Sequence, residues 1–214
     1  MALTFYYGAG SPYAWRVWLA LEHKLIPYER KVLSFSAGDL KQPDFLALNP
    51  RGRVPVVVDG ALPLYESAAI VEYLEDAYPD YGKRLFPGSV TDRAVIRRLI
   101  CEADNYLAPA GNRLLRLVLF TKEEEWNAER ITVARDDLVA ELKRWGPAIR
   151  GDYLAGPVSA ADYTVYPMIA LGLRCEKKKP DLALRAAIPE RLNAWMQGVE
   201  MLPYFSRTWP AHWK

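Results

Sequence analysis

Apolar positions follow two different periods along this chain. Leu3–Tyr7 is a short aliphatic and aromatic run ending at Gly8-Ala9-Gly10, which reads as a strand and a turn. Ser11-Pro12 then offers a helix cap with proline at the first helical position. Ala14, Val17, Trp18 and Leu21 recur at helical spacing, and the stripe ends near Lys24. Tyr28–Phe35 reads as a second strand, so the opening is a strand–helix–strand unit, most simply a right-handed parallel crossover. A loop of some 18 residues follows. Val54–Val58 and Ala61–Tyr65 then flank Asp59-Gly60, the two-residue signal of a tight antiparallel hairpin. Glu66–Tyr78 carries Ile70, Val71 and Leu74 at helical spacing until Pro79 stops it. The order βαβ-ββα predicts a small α/β domain built on a mixed four-stranded sheet.

Beyond Thr91 the strand signals cease. Thr91–Phe120 is helical, with Ala94, Ile96, Leu99, Ile100 and Ala103 on one side and a break expected at Pro109-Ala110-Gly111. Thr121-Lys122-Glu123-Glu124 has the form of a capping box, opening a helix whose inner face holds Ile131, Ala134, Leu138, Leu142 and Trp145. A second box, Ser159-Ala160-Ala161-Asp162, stands before Tyr163–Leu173, and Pro189–Met201 is a last helix before an aromatic tail. The domains expected are 1–80, α/β; a Gly- and Pro-rich linker over 81–90; and 91–214, all helical.

Composition narrows the function classes. Lys+Arg is 28 against Asp+Glu 26 in 214 residues, and this balance gives no electrostatic case for nucleic acid or an anionic membrane. The longest apolar runs fall far short of the ~20 residues that span a bilayer. The start, Met1–Phe5, lacks a basic region followed by an apolar stretch, so export is not expected. Two cysteines, Cys101 and Cys175, are too few for a disulfide framework, fit a reducing cytoplasm, and fall in helical stretches as packing residues. His23 and His212 are the only histidines, which disfavours a zinc site or a Ser-His-Asp triad. No metal and no prosthetic group is expected.

Three motifs of the first domain belong together: Ser11-Pro12-Tyr13-Ala14 at a strand-to-helix turn, Val54-Pro55 at the entry of a strand, and Glu66-Ser67 at a helix start. They resemble a thioredoxin-fold domain in which Ser-Pro-Tyr-Ala stands where glutaredoxins carry Cys-Pro-Tyr-Cys. With an all-helical second domain of this length, the whole chain resembles a cytosolic glutathione transferase, most similar to the serine-type classes and to tau in particular. The stretches Gly10–Val17, Asn49–Val56 and Glu66–Leu74 carry the likeness.

The chemistry can be argued from the residues. A serine at position 11 cannot exchange disulfides, and position 14 supplies no resolving thiol. A hydroxyl on the first turn of a helix, beside free N–H groups and the dipole, suits an anion. A thiol of pKa ~8.5 is only a few per cent ionised at neutrality. A hydrogen bond to the anion gives about 1.5–3 kcal/mol and the dipole about 0.3–1, enough to lower that pKa by roughly 1.5–2.5. Ser11 is therefore expected to stabilise a thiolate brought by a cosubstrate. Tyr6 or Tyr7, at the end of the first strand, is the alternative hydroxyl.

Glu66 and Ser67 suit the ammonium and carboxylate of a γ-glutamyl group. The resemblance implies further that Val54-Pro55 is cis and presents the Val54 backbone to the peptide, and that Lys41 and Arg53 contact the glycyl carboxylate. It implies glutathione as cosubstrate, an apolar electrophile lodged near Tyr106–Leu115 with Tyr163, Tyr166 or Trp209–Trp213, and a homodimer. Lys177-Lys178-Lys179 reads as a solvated turn. Rival readings are a glutathione-dependent isomerase or dehalogenase, and a non-catalytic carrier that keeps the fold.

Overall fold

The computed structural model describes residues 3–213. The chain forms two compact units. One runs to Phe86 and takes in the chain from Pro203 onward; the other spans Pro87–Leu202.

The first unit holds β1 (Leu3–Tyr7), α1 (Pro12–Lys24), β2 (Tyr28–Val32), α2 (Pro43–Leu48), β3 (Val56–Asp59), β4 (Leu62–Tyr65) and α3 (Ser67–Ala77). The sheet order is β2-β1-β3-β4. β1 pairs parallel with β2, while β3 runs antiparallel to both β1 and β4. Strand alternation splits the side chains of β1 between two faces. Phe5 and Tyr7 meet Trp18 of α1, whereas Tyr6 joins Phe45 of α2 in a cluster with Val54 and Val56.

Two expectations fail here. β2 ends at Val32 rather than Phe35, and the loop before the hairpin contains α2 and a 3-10 turn at Asp39–Lys41. α2 is a six-residue helix with one buried residue, Phe45, so it shows no periodic stripe.

The segment expected as a linker divides between the units, 81–86 in the first and 87–90 in the second, and its first part is pinned. Leu85 and Phe86 are fully buried, and the Glu75 carboxylate accepts the Leu85 N–H (2.8 Å) and Arg84 Nε–H (2.8 Å) while facing the buried Lys24 at 3.4 Å. Burial works to raise the Glu75 pKa, but these donors hold it below its ordinary value. His23, also buried, places Nδ1 2.9 Å from Tyr204 Oη and Nε2 3.3 Å from the Arg84 carbonyl. The carbonyl can only accept, so Nε2 carries the proton and Nδ1 accepts from tyrosine.

Burial pulls the His23 pKa down from 6.5 to about 4. The unfolded chain thus takes up this proton first on acidification. Stability from this site is full above pH 6.5 and falls as pH drops toward 4, by up to about 3 kcal/mol. Urea unfolding at neutral and at mildly acidic pH checks this, and His23→Asn should flatten the difference.

The second unit holds α4 (Val90–Glu102), α5 (Ala108–Val118), α6 (Ala128–Trp145), α7 (Ala160–Lys178), α8 (Leu184–Ala187) and α9 (Glu190–Glu200). Pro109 does not break the helical region. It lies at the second position of α5, directly after a π turn at Ala103–Leu107, and the discontinuity is that turn. Thr121 caps no helix: its hydroxyl donates to the Arg116 carbonyl (2.7 Å), and Asn127 caps α6 through the Arg130 N–H (2.9 Å). Cys101 is exposed, contrary to expectation, while Cys175 is buried and its thiol is pushed up to about 12. Lys178 is no solvated charge either; its Nζ donates to the Val118 (2.9 Å) and Thr121 (3.1 Å) carbonyls, closing the end of α5. The Ser159-Asp162 box does cap α7.

Candidate functional site

Register brings the motifs to one end of the sheet. Tyr6 lies opposite Val56, and Val56 opposite Tyr65. The residues that follow β1, precede β3 and follow β4 therefore emerge together: the turn to Ser11, Val54-Pro55, and Glu66-Ser67.

Ser11 is set by the turn that closes β1. Its N–H donates to the Gly8 carbonyl (3.1 Å), and its own carbonyl accepts the Trp15 N–H (2.9 Å). Ser11 Oγ accepts the Ala14 N–H at 3.3 Å, so it caps α1. A hydroxyl that accepts a capping bond still has its own proton to give, and that proton finds no acceptor among the described residues. Accepting an N–H polarises the O–H and strengthens it as a donor. Helix cap and open donor proton are one arrangement here.

The chain's tail packs onto this turn. After α10 (Phe205–Thr208), Trp209 and Trp213 each set their rings edge-on to Trp15 at 5.4 Å, and Trp15 Nε1 donates to Thr208 Oγ1 at 2.8 Å. Gly10 permits the approach: its φ is +84°, and a Cβ there would stand 2.9 Å from the His212 ring. A cavity of about 250 Å³ remains beside Ser11, with Tyr7, Trp15, Trp18 and Trp209 among its walls.

The two tyrosines separate. Tyr7 stacks on Phe5 (5.4 Å), meets Trp18 (5.0 Å) and shares the Ser11 cavity. Tyr6 lies on the opposite face, against Phe45 (6.3 Å), with its hydroxyl 3.4 Å from Lys31 Nζ. Strand alternation removes Tyr6 from the Ser11 side, so only Tyr7 competes with Ser11 by position.

The Val54-Pro55 bond is cis. The Val54 side chain is buried, the ladder begins only at Val56, and the Val54 N–H and C=O have no partner among the described residues. The preceding loop is braced by a buried residue that sequence reasoning missed. Asn49 Nδ2 donates to the Arg53 carbonyl (2.7 Å), and its Oδ1 accepts the Arg51 N–H (3.0 Å). An Asn ahead of Pro-Arg-Gly is the local signal that could have found it. Arg53 and Lys41 both extend into solvent without an ion pair among the described residues.

α3 starts without the cap that Ser11 gives α1. No side chain bonds its first turn, and the buried Ser67 has a hydroxyl with no partner among the described residues. Its opening N–H groups therefore lack a side-chain cap, and a helix end of this kind suits an anion. Glu66, before it, adopts φ +69°, a conformation that costs a non-glycine residue about 1–3 kcal/mol. Its exposed carboxylate stands 4.0 Å from Arg51 Nε, an arginine that sequence reasoning had left out. Glu66→Gly should relieve that strain and raise the melting temperature, offset in part by glycine's chain entropy of about 0.5–1 kcal/mol. Thermal unfolding checks this, and a loss of stability in the variant would refute the strain argument.

The sequence model for the glutathione S-transferase N-terminal domain matches residues 10–77. Glutathione S-transferase F9 of Arabidopsis thaliana is 32% identical over an alignment covering 71% of this chain and 73% of that protein. The chain belongs to the glutathione S-transferase family. Glutathione S-transferase A of Pleuronectes platessa aligns over 99% of this chain and 92% of its own length at 28% identity. The solved structure of a glutathione S-transferase from the Antarctic clam Laternula elliptica covers 100% of this chain and 94% of its own, with a TM-score of 0.79 and 28% identity. The thioredoxin-like unit and the helical unit expected from the motifs are both those of this family.

Proposed function

We propose that this glutathione S-transferase is of the serine type and ionises the thiol of glutathione beside Ser11. What supports this most is convergence: hydrogen-bonding groups left open at Ser11, Val54 and Ser67 stand at one end of one sheet. In this reading the γ-glutamyl carboxylate takes the uncapped N–H groups of α3 and the Ser67 hydroxyl, and Glu66 takes the ammonium. The cysteinyl backbone pairs with Val54 at Pro55, and Arg53 and Lys41 hold the glycyl carboxylate. Anchored at three places, the sulfur lies where the Ser11 proton and the α1 dipole both favour its anion.

The thiolate then attacks the electrophilic carbon of an apolar second substrate. A C–S bond forms, and the leaving group departs with its electron pair, a step suited to detoxification chemistry. The family resemblance also favours a cytoplasmic homodimer, which light scattering tests directly.

Retention of the full chain on immobilised glutathione, together with thioether formation from chlorodinitrobenzene, tests the proposal. Retention without turnover of any electrophile would favour a carrier. Double-bond isomerisation that needs glutathione but forms no thioether would favour an isomerase, and failure of retention would reject the glutathione site.

A further inference from the structure

The cavity beside Ser11 has a charge pattern that the thiolate chemistry does not require. Two arginines, Arg30 and Arg207, stand in its wall, and no Asp or Glu does. They are not equivalent. Arg207 Nη1 lies 3.5 Å from Glu22 Oε2, so its charge is answered. Arg30 has no carboxylate at ion-pair distance among the described residues; its guanidinium sits 4.9 Å from the centroid of the Trp18 ring. Stacking uses the flat face of a guanidinium and leaves its N–H edge free for a planar oxyanion.

A chain of hydrogen bonds fixes that ring. Trp18 Nε1 donates to Tyr28 Oη (2.7 Å), and Tyr28 donates in turn to Glu22, the partner of Arg207. Burial and Glu22 both raise the Tyr28 pKa, so its phenol stays a donor throughout the working range. The wall that carries Arg30 is therefore preorganised. Arg30 itself projects from the edge strand of the sheet, paired in register with Phe5 of β1.

The cavity is partly open to solvent, and its volume of about 250 Å³ gives room for one ring with its substituents. Tyr7, Trp18 and Trp209 supply flat aromatic walls for it.

Resting on the reading of Ser11 as thiolate donor and narrowing its apolar second substrate, we propose that the apolar body of that substrate is a single aromatic ring and that the ring also bears one anionic group, with its reacting carbon toward Ser11 and its carboxylate or sulfonate on the Arg30 edge. For a chloronitrobenzoate, the glutathione thiolate adds to the ring carbon bearing chlorine. The C–S bond forms, the C–Cl bond breaks and chloride leaves with its electron pair, while the carboxylate is unchanged. The positive charge of Arg30 also offsets the repulsion between the two negative reactants.

The test compares chloronitrobenzoate with neutral chlorodinitrobenzene in full-length enzyme and in Arg30→Met. Arg30 is exposed, so the expected result is a fall in the ratio of kcat/KM values, benzoate over neutral, of about two- to fivefold, the range for an ion pair at a solvent-facing side chain. Arg30→Lys should recover part of it. An unchanged ratio overturns the proposal. A binding measurement separates this outcome from failure of the transferase reading itself. Quenching of the cavity tryptophans by unreactive benzoate and benzamide needs no turnover. Benzoate should bind more tightly than benzamide, weaken as salt is added, and lose its advantage in Arg30→Met. Equal binding of acid and amide to the unaltered protein sinks the inference, whether or not the protein turns over any electrophile.

Discussion

Asp162→Ala is expected to cost the helical unit about 3–5 kcal/mol, from several buried donors left without a partner, a large part of the ~5–15 kcal/mol that holds a typical domain together. Asp162 is fully buried and accepts four hydrogen bonds: from Ser159 N–H (2.8 Å), Ser159 Oγ–H (3.0 Å), Leu154 N–H (3.0 Å) and Trp195 Nε1–H (2.8 Å). These tie the start of α7, the loop before it and α9 to one carboxylate. Alanine would strand all four donors where water does not reach, and an unmade buried bond costs more than the same bond contributes when formed. The net pKa of Asp162 is raised, because burial outweighs the donors, so the carboxylate's ionisation is itself costly in this place. Asp162→Asn separates connectivity from charge. Its oxygen can still serve Leu154 and Trp195, but its amide group would meet the Ser159 N–H as donor against donor. It should lose about half as much as alanine. Urea unfolding followed by circular dichroism reads both variants, and a loss below about 1 kcal/mol in Asp162→Ala would mean that water replaces the carboxylate.

What was legible in the sequence is what local chemistry decides. Ser11, the Asp59-Gly60 turn and the Ser159-Asp162 box are set by residues three or four apart, and each forms as the pattern implies. Thr121 shows the limit of the same rule. Its box is intact in sequence, yet its hydroxyl closes the preceding turn, and Asn127 a few residues later caps α6. Nothing within four residues ranks the two.

Tyr6 and Tyr7 are a second case. Alternation says that they part, but which of them faces Ser11 depends on α2, a helix too short to carry a stripe. The same limit hid the cavity's far wall. Arg30 reads as one basic residue in an edge strand. Only the packing of Trp18, Tyr28 and the tail places it, exposed and without a carboxylate partner among the described residues, at the wall of the cavity that Ser11 also lines.

Ser11→Ala is the variant with the largest expected effect on catalysis. Losing a hydrogen bond to an anion, about 1.5–3 kcal/mol, raises the pKa of bound thiol by roughly one to two. Near neutral pH the thiolate fraction, and turnover with it, should fall about ten- to hundredfold. The ionisation limb of the pH–rate profile moves to higher pH by the same amount, so the deficit shrinks as pH rises past both values. Glutathione KM should change little, because the anchors proposed at Val54, Glu66 and Ser67 do not depend on Ser11. Stability drops as well, by about 0.5–2 kcal/mol, since Ala14 N–H loses its cap. That loss is structural and cannot move a pH limb, so the two roles of one hydroxyl can be told apart. Ser11→Thr keeps both donor and cap and should restore the limb. Thiolate absorbance of bound glutathione gives the pKa without turnover. Tyr7→Phe is the decisive control, because Tyr7 lines the same cavity. If its limb moved while that of Ser11→Ala stayed in place, the phenol would be the donor and Ser11 only the cap.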